Sequence, residues 1–334
     1  MRTARIFKRG MRSFMAEIVL GLAMSHSPQV SQEPEWWSEQ ARIDQNRTPY
    51  EELLKRKPDW IAQELSPEVW EKKHSAVQSA IADLAQTLND VAPDVVVLIG
   101  DDQEELFLDD CMPTFSVFWG DKSWDRPEFI HGDMSVPSRA SVLWAFHGER
   151  QEGYPGHPEF GRHIIENLME QNFDVAQYSR QHEQRSLGHA FTFVRRRIMR
   201  EDKIIPMIPV LINTYVPPNQ PTAARCYAFG QAIRKAIESW PGAERVAVIA
   251  SGGLSHFVID SEFDRQILEG LAKGDGEALS SVPRSKLQSG SSEVLNWIAA
   301  GGALEGLRMK LVDYIPGYRS EAGTGVGMAF AKWL

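Results

Sequence analysis

The chain has 334 residues, 43% hydrophobic and 24% charged, enough to bury a sizeable core. Its formal net charge of −9 argues against a nucleic-acid partner, because binding a phosphate backbone needs clustered Lys and Arg. Its two cysteines, Cys111 and Cys226, give no disulfide framework and fit a reducing, cytoplasmic setting, and no apolar stretch approaches the roughly 20 residues of a membrane span.

In chain order, residues 1–14 are basic and precede a second methionine, Met15. They read as an appended, disordered leader, with residues 15–334 as one domain. Glu17–Met24 is expected to be the first buried strand. The segment 32–65 is polar, carries Trp36 and Trp37, and is too long for an ordinary connection, so either a lid or binding loop or a surface excursion with its own short helix is expected there. Ser66-Pro67-Glu68 places a cap residue before a proline at the first helical position. The helix it opens is expected to run to about Val91 through Val77, Ile81, Leu84 and Leu88.

Further strands are expected at Asp94–Ile99, Phe115–Phe118, Asp174–Tyr178, Ile204–Leu211 and Arg245–Ala250. Pro206 and Pro209 predict that Ile204–Leu211 is irregular or bulged. Helices are expected at His157–Gln171, Leu187–Arg200, Ala223–Ser239, Glu262–Leu271 and Ser291–Ala300. Within the second of these, Arg195-Arg196-Arg197 reads as a solvated face. Gly323-Thr324-Gly325-Val326-Gly327 lacks the strand–loop–helix surroundings of a phosphate loop, so close backbone packing is its expected reason. The alternation gives an α/β class, a layered α/β/α domain around a central mixed, mostly parallel sheet.

Five strings put polar groups where strands end: Ser25-His26-Ser27-Pro28, Gly100-Asp101-Asp102-Gln103, Gly188-His189-Ala190, Ser251-Gly252-Gly253-Leu254-Ser255-His256 and Ser292-Glu293. In an open α/β sheet, ligands bind outside the carboxyl ends of the strands, and right-handed crossovers carry such strings to one edge. Brought together, they form a metal site with two imidazoles left for acid–base work. Glu293, near a helix start, also has the simpler reading of a dipole-compensating residue. His157 and His163 have no matching partner and read as structural.

These residues resemble the class III extradiol ring-cleavage dioxygenases of the protocatechuate 4,5-dioxygenase β-subunit type, and also the gallate and methylgallate dioxygenases. The resemblance runs from about Ala16 to the C-terminus. It rests on the Ser-His-Ser-Pro string, Gly156-His157-Pro158, Gly188-His189, Ser251–His256, and Ser292-Glu293-Val294 followed by Trp297 and Gly302-Ala303-Leu304. It implies His26 and Glu293 as ligands of Fe(II), His256 as the acid–base histidine, and His189 as the residue flanking substrate and O2. A small aromatic substrate of catechol or gallate type and a homo-oligomer follow, with a small separate partner subunit as the alternative. Arg42 or Arg47 would meet a substrate carboxylate. The family's middle ligand is a histidine after an aspartate, and here Asp102 is followed by Gln103. Gln103 is taken first for that place, His74 second and Asp102 third; His74 lies seven residues into its helix, about 10 Å along the axis. Two other readings stand beside the dioxygenase: a non-catalytic scaffold with a degraded site, and a metal-dependent hydrolase.

Overall fold

The computed structural model describes residues 15–130 and 137–334, without the side chains of Arg47 and Ser138. The leader reading of residues 1–14 lies outside the described residues. Nine strands form one mixed sheet. Its centre is four parallel strands, β1 (Glu17–Met24), β8 (Arg245–Ser251), β2 (Val95–Asp101) and β7 (Met207–Ile212), in that spatial order. Beyond β7 come antiparallel β3 (Phe115–Phe118) and then β6 (Ala176–Tyr178). On the other flank β11 (Thr324–Trp333) pairs with β1, β10 (Met309–Tyr318) and the short β9 (His256–Val258). A separate two-stranded antiparallel sheet pairs β4 (Lys122–Asp125) with β5 (Glu152–Pro155).

Strand residues alternate between the two faces of a sheet, and here both faces are buried. Val95, Val97 and Ile99 of β2 join a core shared with α3 (Pro158–Glu170), α5 (Ala223–Glu238), α6 (Ser261–Lys273) and α7 (Val294–Ala303). Val96 and Leu98 face the other core, with α2 (Pro67–Val91) and α4 (His189–Ile198). The predicted cap of α2 is present: the Ser66 hydroxyl accepts the Val69 N–H at 3.3 Å. The segment 32–65 folds as short helices, the longest being α1 (Trp37–Arg47), with Trp37 fully buried. No helix among the described residues is long and apolar enough to cross a membrane.

Two sequence expectations are corrected, and a third point adds pairings that no expectation covered. First, β7 is regular, pairing residue for residue with β2 from Met207 to Ile212. Pro209 lies one residue past the last β3–β7 pair, Val117↔Val210, so its missing N–H costs that ladder nothing. Second, the triple arginine is not a solvated face: Arg195 is 1% exposed, with its guanidinium 5.4 Å from the Tyr154 ring centre, and Arg197 reaches Ser31 and Gln78. Third, the hairpin β10–β11 and the pairs β4–β5 and β9–β11 were not anticipated. The glycine string does serve close packing, because a Cβ on Gly325 would strike the Gly317 carbonyl and one on Gly327 the Asp264 carboxylate.

Helices α5 and α7 touch backbone to backbone through Gly230 and Gly302, which have no room for a side chain. Since α7 begins directly after Glu293, this contact also sets the position of the site. Gly230→Ala is expected to lower stability by about 1–3 kcal/mol, read as a fall in thermal midpoint.

Candidate metal centre and cavity

The carboxyl ends of the four central strands open on one cavity of about 390 Å³, bordered by His26, Gln103, Glu105, His189, His256 and Glu293 among others. His26 follows β1 by two residues, Asp101 closes β2, and His256 lies across the Gly252-Gly253 turn from β8. Glu293 ends a short 3-10 turn running into α7 and makes no side-chain cap, so its carboxylate is turned into the cluster.

His26, Asp101 and Glu293 are all buried, and each offers a ligand atom within 4.8 Å of the other two. His26 Nδ1 is 2.9 Å from the Ser251 hydroxyl. Its Nε2 lies 3.4 Å from Glu293 Oε2 yet has no hydrogen-bond partner among the described residues. Burial lowers the His26 pKa to about 4, overcoming the charge of Glu293, so the ring is neutral at neutral pH. With Nδ1–H on Ser251, a nitrogen lone pair then faces two carboxylates. A divalent cation fits that donor set, and no polar protein group takes its place among the described residues.

The two acids behave oppositely. Burial pushes Glu293 upward, but His256, His26 and the Gly253 N–H at 2.6 Å outweigh it and hold the pKa at about 2. Burial and then the Glu293 charge raise Asp101 to about 8, the usual result for two carboxylates sharing a small space. Asn296 donates to Asp101 Oδ1 at 2.9 Å, and the Gln103 amide bridges Asp101 Oδ2 and Glu293 Oε1, both at 3.2 Å.

The three candidates for the middle position separate clearly. Gln103 is beside the cluster as a donor to both acids. Asp102 is turned away, accepting the N–H groups of Leu106 and Phe107, each at 2.9 Å. His74 is outside the cavity, 3.8 Å from Glu33 at a separate surface depression. The acid that faces His26 and Glu293 is Asp101, which the sequence reading did not weigh. Asp101 shares the odd-numbered face of β2 with Val97 and Ile99, the face on which α7 packs, while Asp102 falls on the α4 side.

Two imidazoles flank the cluster. His256 Nδ1 is 2.8 Å from the Leu254 carbonyl and Nε2 is 3.2 Å from Glu293 Oε1. Gly253 and Gly290 lie against its ring so tightly that neither has space for a methyl group. Burial works against a charge on this ring, yet Glu293 leaves its pKa raised. His189 starts α4 and stands edge-on to His26, ring centres 4.8 Å apart. Glu105, which the sequence reading missed, accepts from His189 Nδ1 at 2.8 Å and from its backbone N–H. Burial opposes the His189 charge, but Glu105 raises its pKa to about 9. His157 caps α3 and His163 bonds Ser239, as structural histidines do. Arg42 is on the outside, paired with Glu39, and the Arg47 side chain lies outside the described residues.

The His189–Glu105 pair has a pH signature. A histidine with a raised folded pKa contributes stability fully present below its unfolded value of 6.5, lost as pH rises through about 9. Glu105, held low, contributes above its unfolded 4.5. Glu105→Gln is expected to drop the His189 titration from about 9 toward or below 6.5, followed by imidazole NMR.

The family described as the catalytic LigB subunit of aromatic ring-opening dioxygenase matches residues 21–328. A gallate dioxygenase of Pseudomonas putida is 32% identical over 162 residues, 45% of this chain and 46% of the relative. A 2,3-dihydroxyphenylpropionate/2,3-dihydroxicinnamic acid 1,2-dioxygenase of Comamonas testosteroni is 26% identical over 183 residues, 54% of this chain and 49% of the relative. The chain thus spans about half the length of these curated relatives. A solved structure of an uncharacterised Escherichia coli K12 protein overlays 76% of this chain and 91% of its own at a TM-score of 0.44 and 14% identity, too loose to argue from.

Proposed function

The chain belongs to the family of catalytic LigB subunits of aromatic ring-opening dioxygenases, and from that premise we propose that it opens a catechol- or gallate-type ring next to the diol, with O2 and Fe(II). The observation that carries this reading is the buried His26–Asp101–Glu293 cluster beside a cavity bordered by two further imidazoles. The relatives' named substrates, gallate and dihydroxyphenylpropionate, are both aromatic carboxylates with adjacent hydroxyls. The two free cysteines fit a reducing compartment, the cytoplasm.

On this reading His26, Asp101 and Glu293 hold the metal, and Gln103 orients the two carboxylates through its amide. Bound there, the ion supplies redox coupling between an electron-rich ring and O2. The chain's own residues manage protons. With Glu293 engaged as a metal ligand, the Nε2 of His256, whose Nδ1–H stays on the Leu254 carbonyl, is free to take a proton from a ring hydroxyl and return it to the ring-opened product. His189, kept cationic by Glu105, donates to developing negative charge on oxygen. Both atoms of O2 enter the product and one ring carbon–carbon bond breaks, with the ring supplying the electrons.

The trial is anaerobic reconstitution with Fe(II), then O2 uptake with gallate, protocatechuate and catechol. One O2 consumed per ring opened is expected, lost on chelation. No uptake at full iron loading overturns the reading, and turnover of an ester without O2 would favour a hydrolase. Asp101→Asn is expected to abolish stoichiometric metal, measured by elemental analysis, while Gln103→Ala keeps most of it. His256→Asn is expected to retain metal and lower kcat by roughly 10²- to 10⁴-fold.

A further inference from the structure

One buried carboxylate away from the cavity has no part in the chemistry above. Asp264, in the first turn of α6, is fully buried. Its Oδ1 accepts the Ser255 N–H at 2.8 Å. Its Oδ2 accepts two hydroxyls, that of Ser255 at 2.8 Å and that of Tyr314 on β10 at 2.7 Å. The Ser255 hydroxyl accepts the Asp260 N–H at 2.8 Å, which leaves its own proton for Asp264. All of these partners are neutral donors. Burial raises the Asp264 pKa to about 6 against them, so the group is ionised at neutral pH. An anion buried among neutral groups is costly to keep.

What the carboxylate touches suggests why it is kept. The Ser255 N–H belongs to the same peptide unit as the Leu254 carbonyl, and that carbonyl is 2.8 Å from His256 Nδ1. In a trans peptide the N–H and C=O point in opposite directions, so one rigid unit joins Asp264 on one side to the His256 ring on the other. The unit is pinned to β11: the Leu254 N–H donates to the Gly327 carbonyl at 3.2 Å, and the Gly327 N–H donates to the Ser255 carbonyl at 2.8 Å. Hydrogen bonds in series polarise one another, most strongly when one end is charged. Negative charge at the N–H end makes the Leu254 oxygen a stronger acceptor. Glu293 meets the ring at Nε2, and Arg319 also acts on it through space. Asp264 reaches the other ring nitrogen, through the peptide.

We propose that Asp264 is a positioning residue for His256: through the Leu254–Ser255 peptide its charge holds a proton on Nδ1 and so leaves Nε2 as the nitrogen that exchanges protons with substrate. This deepens the function proposed above and rests on His256 being its acid–base group.

The test is Asp264→Asn, which keeps an oxygen for the Ser255 N–H and removes the charge. NMR of the isotope-labelled full chain without metal, at about pH 8 where Asp264 is ionised, reads the His256 Nδ1–H resonance. A downfield, slowly exchanging proton is expected in the wild type, and Asp264→Asn should move it upfield and speed its exchange. Ser255→Ala keeps the N–H bond to Asp264 and loses the hydroxyl clamp. It should lower the melting temperature and leave the resonance in place. In the iron-loaded enzyme, Asp264→Asn should lower kcat roughly 5- to 10-fold with KM changed by less than about twofold. A wild-type ring with no proton on Nδ1, or a resonance that Asp264→Asn does not move, overturns the proposal. So does a displaced Ser255→Ala resonance, which marks a clamp alone, and this arm holds even if Asp264→Asn does not fold. Failure of the ring-opening reading shows separately, as absent O2 uptake by the iron-loaded wild type while the contrast in the Nδ1–H resonance persists.

Discussion

Two carboxylates, Asp101 and Glu293, are buried within ligand distance of one another and of His26, and the surrounding structure is arranged around that cost. Bringing two acids out of water side by side is unfavourable unless donors or a cation answer them. The fold supplies donors from four directions: the Gly253 N–H, the Asn296 amide, the Gln103 amide and the His256 ring. The second Asn296 bond, to the Ser251 carbonyl, and the Trp297 indole on the Gly252 carbonyl fasten α7 to the end of β8. The same contacts that satisfy the acids therefore lock the helix that carries one of them.

Close approach is the price of that arrangement, and glycine meets it. Gly253 and Gly290 bracket the His256 ring, while Gly230 and Gly302 let α5 and α7 meet at their backbones. A cluster assembled from three strand ends and a helix start tolerates little drift. Its geometry is set by regular elements, with loops contributing single residues at their first or last positions.

That explains what the sequence discloses. His26, His189 and His256 are marked by local punctuation, a Ser-Pro, a Gly before a helix, a Gly-Gly turn, and with Glu293 all four reach one cavity. The Asp101–Asp102 choice is of another kind. Strand side chains alternate, so moving one residue along β2 exchanges the α7 face for the α4 face. Which face holds the site depends on where α7 packs, a long-range fact with no local mark. Glu105 sits in an aperiodic stretch where neither period nor cap singles it out. The β10–β11 hairpin was hidden because the glycines and alanines of β11 carry little strand propensity, and its packing against β1 decides its conformation.

Gln103 takes its meaning from this parity. An imidazole at that place would give a site with one carboxylate and two nitrogen ligands. With an amide there, the neutral donor is lost, and Asp101, desolvated and held near a pKa of 8 by Glu293, is the acid positioned to replace it. The proposed ligand set changes from two nitrogens and one oxygen to one nitrogen and two oxygens, with one more negative charge. Such a set is harder and holds a divalent ion more by charge than by nitrogen donation. An added cation would also remove the repulsion that keeps Asp101 protonated, so metal binding and loss of the Asp101 proton become one event. Under that proposed set the glutamine serves as the clasp between two acids, and the ligand place falls at the end of the strand instead of in the loop beside it.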